Sequence, residues 1–212
     1  MTDAPRWDLI AAERRALADL VETLDDAQLA TQSLCGRWTV RDVVAHTMVG
    51  PTASVLSFGG AMLRGRGNFD RANDLLARER AKLTTDRLVG DLRDRAESHF
   101  TPPTFDWHAP LTDLLVHHAD VAVPLGLPLD RPTEAWAEAL PFLVTKKARG
   151  AFTPRELPEL TYAATDLDWS HGSGPVVSGP AAALGVAMCG RAAVLDRLDG
   201  PGHDQLAAWL RR

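Results

Sequence analysis

The sequence predicts a mainly α fold, a helical bundle followed by a small α+β unit, and three observations carry that expectation. Apolar residues recur at helical spacing through most of the first two-thirds of the chain, beginning with Ile10, Leu17, Leu20, Val21 and Leu24. Start and stop signals punctuate those stretches: Thr39 with Asp42 three residues on, and Pro110 with Gly126 at the far end. After Pro154 the pattern changes, because Leu160-Thr161-Tyr162-Ala163-Ala164-Thr165 is β-prone and Gly172-Ser173-Gly174-Pro175 reads as a turn. The expected division is a helical bundle over residues 1–154 and a small α+β domain over 155–212. A domain near this size buries roughly 70 % of the surface its unfolded chain exposes, so no staple is required.

Each element has a local reason. The first helix runs from Trp7 to Asp25 and carries Glu13, Arg14, Arg15, Asp19 and Glu22 on its other faces. Asp26 can cap a short turn. Thr39 and Asp42 then form a capping box, and Val40, Val43, Val44 and Thr47 make the stripe of the helix they open. Gly50-Pro51 should kink or end it, because Pro51 cannot donate to the carbonyl four residues back. Gly59-Gly60 and Arg64 to Gly67 mark a loop. A charged helical stretch from Asp70 to Phe100 breaks near Thr84-Thr85, and its mixed charges describe a solvated face. Pro102-Pro103 stops it. Pro110 suits the first turn of a helix running to Leu125, and Pro132 begins another toward Arg149-Gly150. Val176-Val177 gives a second short strand. Ser178, as cap, and Pro180 then open an alanine-rich helix that continues through Arg191 to about Leu198, ahead of a last short helix.

Composition removes several classes of function. With 23 basic and 28 acidic residues the net charge is −5, so the usual electrostatic ground for nucleic-acid or anionic-membrane binding is missing. No apolar stretch approaches the ~20 residues of a membrane span. The stretch from Met1 to Arg6 lacks the basic-then-apolar pattern of a leader, and Cys35 and Cys189 form no disulfide framework; a cytoplasmic protein is expected. No nucleophile elbow, phosphate loop or dinucleotide fingerprint is present, nor the Glu-x-x-His of di-iron bundles.

The histidines carry the chemistry that remains. On the Pro110 helix, at about 100° per residue, the core stripe is Leu111, Leu114, Leu115, Val121, Ala122 and Leu125. His118 falls in mid-stripe, where core packing is the plainer reading and a donor behind a ligand the other. Asp113 and His117, four apart, point together to the stripe's edge, and His46 lies at the edge of the Thr39 helix's stripe. Two helices packed through these stripes can bring His46, Asp113 and His117 to one rim. Two imidazoles and a carboxylate suit Zn²⁺ or another divalent metal and leave a position open. Spacing alone describes a surface Asp–His pair equally well, and Asp42-x-x-x-His46 repeats it where Asp42 already serves as a cap. Cys35, beside Gly36 and Arg37, is either a somewhat activated thiol or a buried inert one. Trp107 beside His108 is a core anchor or the lining of a pocket mouth. No catalytic residue is assigned, and Asp120 and Trp38 receive no role.

Three segments resemble a known family. Leu34-Cys35-Gly36-Arg37-Trp38-Thr39-Val40-Arg41-Asp42-Val43-Val44-Ala45-His46 resembles the entry to the second helix of mycothiol-dependent maleylpyruvate isomerases, members of the DinB-like superfamily of metal-binding four-helix bundles. The stretch from Asp113 to Gly126 resembles that family's later ligand helix, and Val177 to Pro201 its small C-terminal domain. The resemblance implies a divalent metal, usually zinc, held by His46, Asp113 and His117, with mycothiol as thiol cofactor or cosubstrate. The metal's open position would hold the thiol as a thiolate near neutral pH. That nucleophile could add to a small electrophilic substrate and leave again after bond rotation, or remain attached as an S-conjugate. Arg191 is the candidate contact to a carboxylate or sugar. The family usually has Glu where this chain has Asp113; the shorter side chain requires closer helices or an intervening water. Two other readings accompany this one: a hydrolase using metal-bound water, and a non-catalytic binding or stress protein whose metal site has decayed.

Overall fold

The computed structural model describes residues 4–36 and 38–211. Met1–Asp3, part of the leader reading, and Arg37, the basic neighbour of Cys35, lie outside the described residues. The fold is mainly helical with a small three-stranded sheet. It divides into two compact units, 1–127 and 128–212.

In the first unit the helices are α1 (Ala4–Glu22), α2 (Asp26–Leu29), α3 (Val40–Thr47), α4 (Val49–Thr52), α5 (Val55–Arg64), α6 (Phe69–Arg80), α7 (Thr85–Asp94) and α8 (His108–Ala122), the last extended by a 3-10 turn, Val123–Leu125. α8 packs against both α1 and α3, while α7 lies on α1 and α6 on α3. Ile10, Leu17, Val43, Val44, Leu88, Leu92, Leu111 and Leu115 are fully buried along these seams. The Thr39–Asp42 capping box forms as the sequence predicts, and Thr84 caps α7. Gly126, with φ of +69°, ends the turn after α8 in the left-handed conformation that glycine tolerates.

Several boundaries differ for identifiable reasons. Asp25 rather than Asp26 caps the short α2, in a capping box with Gln28. Gly59 and Gly60 sit inside α5, opened by Ser54 as cap; glycine weakens a helix interior without forbidding it. Glu13 and Arg14, off the apolar stripe of α1, are nonetheless buried. Arg14 Nη1 donates to the carbonyls of Ala96 and Ser98, both at 2.7 Å, so its head serves the unpaired groups beyond the end of α7. The charges of α6 and α7 are only partly a solvated face: Arg80 and Arg87 both pair with Asp91, which is nearly fully buried, and Arg93 reaches Asp19 and Glu22 on α1.

The second unit contains α9 (Thr133–Leu143), β1 (Thr161–Ala164), β2 (Ser170–Gly172), β3 (Val176–Gly179), α10 (Ala181–Met188), a 3-10 turn (Ala192–Arg197) and α11 (His203–Leu210). The sheet order is β2-β1-β3, with β1 antiparallel to β2 and parallel to β3. The division between units falls at 127/128, where the sequence reading set it at 154/155, because α9 packs on α10 and so joins the sheet-bearing unit. The fully exposed β2 has no apolar alternation to announce it. Ser178 is a strand residue, and the first amide of α10 is instead satisfied by Asp166, whose Oδ1 accepts from Ala181 N at 2.8 Å. The alanine-rich helix stops at Met188, well short of Leu198, because Gly190 adopts φ of +88°.

α9 and α10 meet at Gly185, where an added Cβ would stand 2.2 Å from the ring of the buried Trp136. Gly185→Ala should therefore destabilise the protein by about 1–3 kcal/mol, although alanine is the better helix former. A urea midpoint unchanged or raised in that variant would contradict this packing.

Candidate metal centre

α3 and α8 are positioned by their apolar stripes, and the edges of those stripes meet. His46 is in the last turn of α3, while Asp113 and His117 stand one turn apart on α8. His46 Nε2 lies 3.5 Å from Asp113 Oδ1, and His117 Nε2 lies 3.3 Å from the same oxygen. One donor atom from each of the three falls within 4.8 Å of the others. Four ligands at zinc's usual bond lengths form a tetrahedron whose edges are about 3.3 Å. The separations of 3.3 and 3.5 Å match that edge, so the residues present suit a small divalent cation. The shorter Asp113 reaches both imidazoles directly. Its side chain is about one-third exposed, which gives the cluster an approach from solvent.

Behind the cluster, His117 Nδ1 stands 2.8 Å from Oδ2 of Asp120, a fully buried carboxylate. Such a partner keeps the proton on Nδ1 and turns Nε2 toward the centre, the arrangement common to metal-binding imidazoles. Sequence reasoning missed Asp120, although its signal was present: a carboxylate three residues after His117 lies on the same helix face. Cys35 is half-buried, and its sulfur lies within 4.8 Å of donor atoms of His117 and Asp120. Trp38, also unassigned from sequence, packs against His46 in a tilted arrangement with ring centroids 4.7 Å apart and lies 6.3 Å from the His117 ring. His118 is buried on the core side, as mid-stripe placement requires.

The electrostatics follow from this crowding. Burial opposes charge on Asp113, but His117 and His46 beside it hold its carboxyl well below the usual carboxylate range. Burial likewise opposes charge on His117, yet Asp113 and then Asp120 raise it to about 10. Without a cation, His117 is thus an imidazolium between two carboxylates at neutral pH. A cation that enters must displace the proton on Nε2.

Residues 10–101 match the mycothiol maleylpyruvate isomerase N-terminal domain. His46 lies inside that segment, whereas Asp113 and His117 lie beyond it. Two solved structures of mycothiol-dependent maleylpyruvate isomerase share the fold. One, of a histidine-to-alanine mutant, is 14% identical with a TM-score of 0.64; the other is 15% identical with a TM-score of 0.58. Each alignment covers 96% of this chain and 94% of the other. At that identity the likeness establishes the shared fold. No curated protein matches the chain.

The remaining candidates fall elsewhere. Arg191 belongs to the second unit; it immediately precedes the 3-10 turn after α10, and its Nη1 donates to the carbonyl of Cys189 at 2.6 Å. Trp107 is buried, stacked on His108 at 3.6 Å, with the Arg6 guanidinium 4.7 Å over its ring, which is the anchoring reading. No helix among the described residues is long and apolar enough to cross a membrane.

Proposed function

We propose that the protein is a metal-dependent enzyme that uses mycothiol to isomerise or S-conjugate a small electrophilic substrate, with His46, Asp113 and His117 as ligands of a divalent metal, probe metal zinc. The observation that carries this reading is the convergence of two imidazole nitrogens on one carboxylate oxygen, with the second nitrogen of His117 already committed to a buried acid. The match of residues 10–101 to the family's N-terminal domain supports the choice of mycothiol among thiols. A bound divalent cation would supply the charge that stabilises a thiol as its thiolate near neutral pH. The protein's own part is to hold that charge in place. Asp113 offsets it, Asp120 keeps the His117 tautomer fixed, and the partial exposure of Asp113 leaves a face through which a thiol can approach. Arg191 is proposed as a contact for a carboxylate or sugar group, its guanidinium being suited to bidentate bonding. The proposed setting is the cytoplasm.

The test is elemental analysis after zinc loading, followed by assay with mycothiol and maleylpyruvate as first substrate. About one zinc per chain together with mycothiol-dependent turnover supports the proposal. Zinc with thiol-independent ester hydrolysis would support the metal-bound-water reading instead. No zinc even at excess would favour a non-catalytic bundle. His46→Ala is expected to lose zinc uptake while its helical circular dichroism persists; full zinc content in that variant would remove His46 from the ligand set.

A further inference from the structure

The two imidazoles of the cluster are held in different ways. His117 has its Nδ1 on Asp120 at 2.8 Å, which fixes both ring orientation and tautomer. His46 Nδ1 is buried and has no hydrogen-bond partner among the described residues. A histidine whose second nitrogen is untethered can turn about its broad, roughly two-fold ring torsion, and half of those orientations present carbon where a ligand nitrogen is needed. Something other than a hydrogen bond must select the orientation that puts Nε2 3.5 Å from Asp113.

The group in place to do so is Trp38, immediately ahead of the Thr39 cap. Its ring lies on the His46 ring at 4.7 Å with the planes tilted by 40°. Trp38 is itself pinned: its Nε1–H donates to Asp74 Oδ1 on α6 at 2.7 Å. Asp74 is gripped in turn by Arg78, one helical turn on, whose Nε lies 3.1 and 3.2 Å from the two carboxylate oxygens. A guanidinium holds a carboxylate, the carboxylate holds an indole, and the indole covers an imidazole.

We infer that Trp38, pinned by Asp74, is the positioning residue that orients His46 toward Asp113, in the role that Asp120 fills for His117. This rests on the reading of His46 as a metal ligand, and the test separates the two. In the metal-free protein, the ring protons of His46 should be shifted upfield by the indole ring current. Trp38→Leu should return them toward their free values, while the His117 resonances stay in place as the control for intact folding. Asp74→Ala should average them, and Asp74→Asn, which keeps an acceptor for the indole, should restore them. In a cobalt titration, Trp38→Leu should weaken binding about 10- to 100-fold, the usual cost of removing an outer partner of a metal ligand. Trp38→Phe, which retains an aromatic face, should recover most of that loss. His46 shifts or cobalt affinity unchanged in folded Trp38→Leu would overturn the inference. A wild-type protein that takes up no cobalt, yet whose His46 shifts depend on Trp38 and Asp74, would uphold the positioning and sink the metal reading alone.

Discussion

Asp113→Asn is expected to weaken zinc binding by more than a hundredfold, since outer partners of a ligand alone are worth about 10- to 100-fold and Asp113 would be a direct ligand. The substitution keeps the size of the side chain, so its cost is almost purely electrostatic. Asp113 Oδ1 is the point on which both imidazole nitrogens converge, and a neutral amide oxygen there offsets less of a cation's charge. The same change should lower the basicity of His117, because Asp113 contributes the largest part of what raises it to about 10; Asp120 would retain the rest. Competition with a chromophoric chelator reads the first effect and a proton titration of the His117 ring reads the second. Zinc affinity within a fewfold of wild type would exclude Asp113 from the ligand set. Asp113→Glu is a useful companion. The 3.3 and 3.5 Å separations already match a tetrahedral edge, so a longer side chain should bring no gain; a marked rise in affinity would mean that α3 and α8 stand too far apart for aspartate.

What the sequence disclosed about this site depended on whether the information was local. The pairing of Asp113 with His117 follows from helix geometry, and so does the placement of His118 in the core. The meeting of His46 with that pair required two stripes to pack edge to edge, which periodicity allows but does not dictate. Asp120 is legible only in principle, three residues from His117, because nothing local distinguishes a carboxylate beneath that histidine from one on a surface. Trp38 was not legible: its role arises from Asp74 on α6, 36 residues away. The fold shows the same division. Capping at Thr39 is readable from Asp42 three residues on, whereas the sequence places a break at Thr84-Thr85 without choosing between the two as cap. The cap on α10 was not, because Asp166 comes from 15 residues upstream, and the burial of Arg14 depends on carbonyls more than 80 residues on. Gly190 ended a helix that composition would have continued, since alanine richness carries no information about where the backbone turns left-handed.

The pH dependence of the metal-free protein should run opposite to that of metal binding. His117 has a folded pKa raised from 6.5 to about 10, so its contribution to stability is complete below about pH 6.5, where the unfolded chain is protonated as well. As pH rises from there toward 10, the unfolded chain releases its proton first and the contribution is lost. Asp113 behaves in the opposite sense: its folded pKa is depressed, so its contribution is present above the ordinary value of 3.8 and is lost as the solution becomes more acidic. The metal-free protein should therefore be most stable between about pH 4 and 6.5 as far as this cluster is concerned, with a fall on the order of a few kcal/mol on the alkaline side. If His117 is a ligand, zinc should reverse the alkaline limb, because binding would expel the Nε2 proton and so grow tighter as pH rises. Urea unfolding from pH 5 to 10, with and without zinc, reads both limbs. His117→Gln should flatten the metal-free curve between pH 6.5 and 10 and erase its separation from the zinc curve. A wild-type protein whose stability is flat across that window would mean that His117 is not held as an imidazolium between Asp113 and Asp120.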